Sequence, residues 1–146
     1  MLRWLTAHRH AIDKPTVRAA VTAAERLTAA EIVVSIAPFF IGDVGRAAGR
    51  AFDRLGIAGT RGRNGVLLFV VPARRQLVVL ADDAIRARLG DPIWQQLADD
   101  VAAAFGRGQG TTGVVDAVAG LGRSLAAAFP RTDDDTNELS DQPDSG

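Results

Sequence analysis

The sequence predicts a single α/β domain in which a small mixed sheet lies between two layers of helices. The first observation is a pair of apolar runs, residues 66–71 and 77–81, with Asn-Gly before them, two arginines between them and Asp-Asp after them. That pattern is typical of a β-hairpin. Neither run alternates apolar with polar residues, so both faces of each strand should be covered, and we expect the hairpin to form the centre of the sheet.

The second observation is a strand–helix–strand unit that leads into this hairpin. Glu31 leads into the predicted first strand, residues 32–37, a β-branched run that Pro38 ends. A helix pattern that opens at Gly42-Asp43 and closes at Gly56 separates it from the first strand of the hairpin. Because a helical crossover joins parallel strands, the first two strands should be parallel and the third antiparallel to the second.

The predicted helices follow from apolar residues at three- and four-residue spacings. The first opens at Asp13 with Pro15 in its first turn and runs to about Leu27, and Leu2, Trp4 and Leu5 precede it. A short helix over 84–89 follows the hairpin, then a longer one that Gly106 ends, and a last one that Thr111 or Thr112 caps and Pro130 stops. The apolar stripe of the second helix comprises Val44, Ala47, Ala48, Ala51, Phe52 and Leu55.

Composition limits the function. The chain has 146 residues and no cysteine, which excludes disulfides, thiolate metal sites and a cysteine nucleophile. No apolar run is long enough to span a membrane, and the first residues lack the apolar core of a signal peptide, so we expect a cytoplasmic protein without a transmembrane segment.

The zero net charge conceals an asymmetry between the domain, residues 1–130, and a tail, residues 131–146. The domain carries 16 basic and 11 acidic residues, whereas the tail carries six acids and Arg131. With one aliphatic residue the tail should be disordered in isolation. No basic stripe is interleaved with aromatic residues, so nucleic-acid binding is not expected.

The predicted topology brings four polar residues to one end of the sheet, where strands one and two begin and strand three ends: Glu31, Asn64, Asp82 and Asp83. Three carboxylates and an amide oxygen suit a hard cation, Ca²⁺ or Mg²⁺. The structural alternative is that Asp82 or Asp83 only caps a helix, Asn64-Gly65 supplies a left-handed turn, and Glu31 is a solvated strand end. The glycine-rich loop at 59–65 enters a strand, which argues against a phosphate-binding loop.

An ordered set of short motifs over about residues 10–140 resembles the TPM domain family, which is named after a thylakoid lumen protein, a photosystem II repair protein and a nematode receptor modulator. The motifs are Ala24–Val34, Phe52-x-x-Leu-Gly-Ile57, Thr60, Arg63–Phe69, Asp82-x-Ala-Ile85, Trp94, Phe105, Gly113 and Leu125-x-x-x-Phe-Pro130. The acidic tail, with Asn137-Glu138-Leu139, is similar to that of small bacterial members without a signal peptide. Ala84 stands where many members have glycine.

The resemblance implies a Rossmann-like three-layer α/β/α sandwich, Ca²⁺ binding at the motif positions Glu31, Asn64 and Asp82, and the acid phosphatase activity proposed for a plant member. We therefore expect a cation-binding interaction module, not an enzyme, with Ca²⁺ favoured over Mg²⁺. We expect its partner to be a protein, including one associated with a membrane. Two alternatives stay open. One is a metal-assisted phosphatase in which Asp82 or Asp83 acts as nucleophile or base. The other is a scaffold that docks through its acidic tail.

Overall fold

The computed structural model describes residues 11–37, 42–55 and 64–131, and within them three strands and five α-helices follow one another. The elements in chain order are α1 (Lys14–Glu25), β1 (Glu31–Ile36), α2 (Val44–Leu55), β2 (Gly65–Val71), β3 (Gln76–Ala81), α3 (Asp83–Leu89), α4 (Asp91–Gly106) and α5 (Gly110–Ala128). A 3₁₀ turn, Pro72–Arg74, joins β2 to β3.

The sheet has the predicted mixed topology. Strand order is β1-β2-β3, with β1 parallel to β2 and β3 antiparallel to it. Every residue of β2 is buried, as the uninterrupted apolar run predicts. The prediction that the whole hairpin forms the sheet centre was wrong for its second half, because β3 is an edge strand in which only Leu77 is buried.

Alternating residues of the strands face two separate cores, which confirms the α/β fold in three layers. One face packs against α1, α3, α4 and α5 and includes Ile32, Val66, Leu68, Val70 and Leu77. The opposite face packs against α2 and includes Leu67, Phe69 and Val71. This parity decides which residues share a face at the ends of the strands.

Two helices differ from the sequence prediction at their ends. Helix α1 begins after Asp13, as predicted, but ends at Glu25, and Leu27 beyond it is 50% exposed and not part of the apolar face. The apolar stripe of α2 is buried or half-buried except for Leu55, which is 48% exposed. Both leucines lie at or past a helix end, where the periodic pattern no longer fixes a direction.

Of the N-caps predicted for the helices after the hairpin, that of α3 is confirmed and that of α5 was wrong. Asp82 caps α3, as one of the two predicted aspartates. Neither Thr111 nor Thr112 caps α5, whose N-cap is Gln109 without a side-chain bond. The hydroxyl of Thr111 instead accepts a hydrogen bond of 3.1 Å from the backbone N–H of Asp13, and so joins the starts of α5 and α1.

The interpretation of Asn64-Gly65 as a left-handed turn was wrong. Neither residue has a positive φ, and Gly65 is the first residue of β2. The left-handed position of the hairpin is Arg75, with φ 54°. The predictions for Leu2, Trp4 and Leu5, for the helix end at Gly56, for most of the 59–65 loop and for the tail beyond Arg131 lie outside the described residues.

No helix among the described residues is long and apolar enough to cross a membrane.

Candidate functional site

Backbone hydrogen bonds bring Glu31, Asn64 and Asp82 together at one end of the sheet, as the topology predicts. The N–H of Glu31 donates to the carbonyl of Asn64 at 2.7 Å, and Glu31 pairs in register with Gly65. On the other side, the N–H of Asp82 donates to the carbonyl of Gly65 at 3.1 Å. We call this group, Glu31, Asn64, Gly65 and Asp82, the Asp82 end of the sheet.

Asp82 fixes three elements at this end through its carboxylate. Oδ1 accepts the N–H of Ile85 at 3.0 Å and so caps α3, whereas Oδ2 accepts the N–H of Gly65, the first residue of β2, at 2.8 Å. Asp82 itself directly follows the last residue of β3. Since an ionised carboxylate has about four acceptor positions, two remain after these bonds. The half-buried Asp82 is thus a structural clamp that retains acceptor capacity.

Glu31 and Asp82 lie on the same face of the sheet. The side chain of Glu31 shares the parity of Val33, and Asp82, whose backbone is extended (φ −69°, ψ 169°), continues the alternation of Leu80, so both lie on the α2 side. Gly65 stands between them and carries no side chain. Two strand spacings separate the Cα atoms of Glu31 and Asp82 by about 10 Å, a gap that the two side chains can span through one ion.

Asn64 and Asp83 occupy different positions relative to this pair. Asn64 is half-buried, and its backbone carbonyl is already used by Glu31. Asp83 is exposed and is the first residue of α3. Within the described residues, no three side chains of the His, Cys, Asp and Glu types form a group that could hold a metal ion. Glu31, Asp82 and Asp83 are therefore not drawn together as a three-carboxylate group in the described part of the chain.

Glu25, the last residue of α1, has a role at the start of β1 that the sequence did not predict. Its Oε2 accepts the backbone N–H of Ile32 at 2.8 Å, and its backbone carbonyl accepts a hydrogen bond from Nη1 of Arg131. Glu25 therefore ties the end of α1 to the outer side of β1. The signal for this role is that an edge strand has N–H groups that need acceptors, which becomes visible only once the strand order is known.

A groove of about 330 Å³ runs between α1 and β1. Its α1 wall consists of Lys14, Val17, Arg18 and Val21, and β1 contributes Ile32, Val33, Val34 and Ile36. Lys14 and Arg18 are exposed. The groove therefore combines an apolar floor with two cations at one end.

Comparison with known proteins identifies the family. The family model described as the TPM domain matches residues 10–124, and the chain belongs to this family. A search of the curated proteins finds no match.

Among solved structures, the chain is similar to the NMR structure of BA42 protein from the psychrophilic bacterium Bizionia argentinensis sp. nov.. The two share 30% sequence identity with a TM-score of 0.73, and the match covers 84% of this chain and 83% of that one. This likeness agrees with the α/β sandwich described above.

Proposed function

We propose that this TPM-domain protein is a non-enzymatic interaction module that binds a divalent cation at the Asp82 end of the sheet. The observation that supports the proposal is the placement of Glu31 and Asp82 on one face with the side-chain-free Gly65 between them. Asp82 is already held by two N–H donors and keeps acceptor capacity for an ion. Asn64, the remaining predicted donor, has the parity of Val66 on the opposite face of the sheet, so we do not count its amide oxygen among the direct ligands.

The donor set favours Ca²⁺ over Mg²⁺. Ca²⁺ accepts six to eight oxygen ligands in variable geometry, whereas Mg²⁺ requires a near-ideal octahedron. A pair of carboxylates about 10 Å apart at the backbone, with water completing the shell, meets the looser requirement. Because only two carboxylates contribute directly, we expect weak binding, with a Kd of about 10⁻⁴ to 10⁻³ M. Asp83 raises the local negative charge without serving as a ligand.

The proposed role in binding a partner protein follows from the coordination positions of the ion that this protein leaves unfilled. An ion held by two carboxylates keeps coordination positions that water occupies, and an acidic group of a partner protein can replace that water. Binding of the ion also neutralises most of the local negative charge of Glu31, Asp82 and Asp83, which changes the partners that this surface attracts. A protein partner, including one at a membrane, would be recruited when Ca²⁺ is present.

The first experiment is a Ca²⁺ titration of the full chain followed by ¹H–¹⁵N NMR. We expect shifts centred on Glu31, Gly65 and Asp82, and weaker shifts with Mg²⁺. Glu31→Gln should reduce the Ca²⁺ affinity at least about tenfold, because it replaces one of two charged ligands while leaving both hydrogen bonds of Asp82 intact. The matched control is Asp116→Asn, an exposed acid on α5, which should titrate like the wild type.

The absence of any local shift at millimolar Ca²⁺ in the wild type would reject the proposal. Equal weakening by Glu31→Gln and Asp116→Asn would also reject it, since that result indicates diffuse attraction to surface charge.

The phosphatase alternative would use the same end of the sheet. Both oxygens of Asp82 accept backbone N–H groups, whereas Asp83 is exposed and is the carboxylate with access to a phosphoryl group. A bound cation would polarise a phosphoryl oxygen while the Asp83 carboxylate attacks phosphorus and the P–O bond to the alcohol breaks, the leaving oxygen taking a proton from water. A second water would then hydrolyse the aspartyl phosphate, releasing inorganic phosphate and the free carboxylate. Hydrolysis of p-nitrophenyl phosphate that Asp83→Asn abolishes and Asp116→Asn leaves intact would favour this activity. Turnover unchanged in Asp83→Asn would indicate a contaminant.

The scaffold alternative places the partner on the acidic tail. A pull-down with and without residues 131–146 tests it: a partner that requires those residues and ignores Ca²⁺ favours the scaffold over the cation-binding module.

A further inference from the structure

The outer edge of β1 has backbone groups that face away from the sheet. The backbone N–H of Glu31 donates to the carbonyl of Asn64, and that of Ala37 donates to the carbonyl of Val70 in β2. The backbone N–H and C=O groups of the odd-numbered residues of β1 therefore point toward β2, and those of the even-numbered residues point away from it. Glu25 takes the outward N–H of Ile32. For Val34 and Ile36, no backbone hydrogen bond on that side is recorded among the described residues. Within the described part of the chain this edge is therefore unpaired at Val34 and Ile36, and an unpaired edge is a template for another strand.

The groove beside this edge has a direction. Lys14 and Arg18 lie in the first half of α1 and line the groove together with Ile36, whereas Glu25 closes the opposite end, at Ile32. The cations thus lie toward the carboxyl end of β1. An extended segment that pairs its backbone with β1 and carries acidic side chains at that end would fit both features.

The described chain leaves the domain at the Glu25 end of the same groove. The carbonyl of Phe129 accepts the N–H of Ala29 at 2.9 Å, Pro130 forms a bridge with Thr28, and the Arg131 guanidinium donates to the carbonyl of Glu25. Residues 132–146 therefore start beside the first residues of β1.

Distances along the helix and along an extended chain match. At about 1.5 Å per residue, Arg18 and Lys14 lie about 10 and 16 Å from Glu25 along α1. At about 3.3 Å per residue, residues 133–135 reach about 7 to 13 Å beyond Arg131. These residues are Asp133, Asp134 and Asp135. The three carboxylates thus come level with the two cations.

We propose that residues 132–136 of this chain dock in the groove as a fourth strand, parallel to β1. Their backbone pairs with the outward groups of Val34 and Ile36. Asp133 and Asp135, which share one face of an extended strand, face Arg18 and Lys14. A segment too poor in apolar residues to fold alone becomes ordered because an existing edge supplies its hydrogen bonds. Docking also covers an edge that would otherwise pair with a second chain.

The test uses the full chain with a nitroxide spin label at Thr136→Cys, which is a unique labelling site because the native sequence has no cysteine. We expect paramagnetic broadening of the amides of Val21, Val34 and Ile36. Two variants should remove this broadening: replacement of the three aspartates at 133–135 by asparagine, and Lys14→Glu combined with Arg18→Glu. Each variant should also accelerate hydrogen exchange of the amides of Val34 and Ile36 at least about tenfold. Glutamate near the start of α1 suits the helix dipole, so these variants should fold.

The matched control is Arg46→Glu with Arg50→Glu, two exposed arginines of α2 on the other side of the sheet, which should leave the broadening at β1 unchanged. Three results would overturn the proposal. Two of them are broadening centred on α2 and broadening spread evenly over the surface. The third is equal broadening of β1 in ¹⁵N protein without a nitroxide after it is mixed with spin-labelled ¹⁴N protein, which shows docking on a second copy. Restoration by reversing both charges, Asp133–135 to lysine with Lys14→Glu and Arg18→Glu, would support it.

Discussion

At the scale of single residues, Asp82 shows how one side chain can serve several elements. Its carboxylate replaces a backbone carbonyl for the buried Gly65 and caps α3 at Ile85. Either role alone would favour aspartate at this position. The two together explain why Asp82, and not the neighbouring Asp83, carries the structure here, although the sequence presents them as equivalent.

Asp82→Asn should lower the free energy of unfolding by about 1–3 kcal/mol. An asparagine side chain has one acceptor oxygen, so it can serve Ile85 or Gly65 but not both, and the amide nitrogen then opposes an N–H. Urea denaturation measures the change. Asp83→Asn, the matched control, should stay within about 0.5 kcal/mol of the wild type because its side chain is exposed. Equal destabilisation by the two substitutions would contradict the clamp.

At the scale of elements, two glycines let α5 approach its neighbours closely. A Cβ at Gly122 would lie 2.7 Å from Cβ of Ala24 on α1, and one at Gly113 would lie 2.4 Å from Cβ of Ala104 on α4. Both distances are too short for carbon atoms in contact. Glycine is therefore retained inside a helix despite its poor propensity, because the layer of α1, α4 and α5 depends on this proximity.

Gly122→Ala should destabilise the protein by about 1–3 kcal/mol, because the added methyl group forces α1 and α5 apart. Gly120→Ala, two residues earlier, should instead stabilise it by up to about 1 kcal/mol, since the nearest atom to its Cβ is a nitrogen of Arg123 at 3.7 Å and alanine is the better helix former. Thermal or urea unfolding of the two variants distinguishes packing from propensity. A neutral or stabilising Gly122→Ala would refute the close approach.

The elements also show what the sequence could reveal. The spacing of apolar residues located the helices and strands, because an element buried on one face has periodic apolar residues and one buried on both faces has an uninterrupted apolar run. The wholly buried β2 is an example of the second kind. The errors occur where tertiary contacts decide. Thr111 appeared to be a helix cap, but its hydroxyl bonds Asp13, 98 residues away. The spacing of Leu27 continues the apolar stripe of α1 in the sequence, but the helix ends at Glu25.

The same distinction applies to the candidate site. The meeting of Glu31, Asn64 and Asp82 follows from topology alone, since parallel and antiparallel neighbours fix which strand ends share one side of the sheet. The role of Glu25 and the open edge of β1 does not follow, because it requires the order of the strands and the path of the chain after α5. Neither leaves a local signal in the sequence.

At the scale of the whole molecule, the two ends of the described domain are joined at Thr28. Its hydroxyl donates to the carbonyl of Phe129 at 2.6 Å and accepts the N–H of Ala30 at 3.1 Å, and the side chain is 2% exposed. The carbonyl of Phe129 also accepts the N–H of Ala29. The link between α1 and β1 is therefore closed against the end of α5, about a hundred residues later in the chain.

Thr28→Val should lower the free energy of unfolding by about 2–4 kcal/mol, because a side chain of the same shape leaves the buried N–H of Ala30 without its acceptor and weakens the attachment of Phe129. Thr28→Ser keeps the hydroxyl and loses one methyl group, so it should cost only about 1 kcal/mol. The measurement is urea denaturation, with native-state hydrogen exchange to locate the opening. If the hydroxyl joins the chain ends, Thr28→Val should increase exchange first at Ala29 and Ala30, at the start of β1 and at the end of α5. An equal loss of stability in both variants would assign the effect to packing and refute the closure by hydrogen bonds.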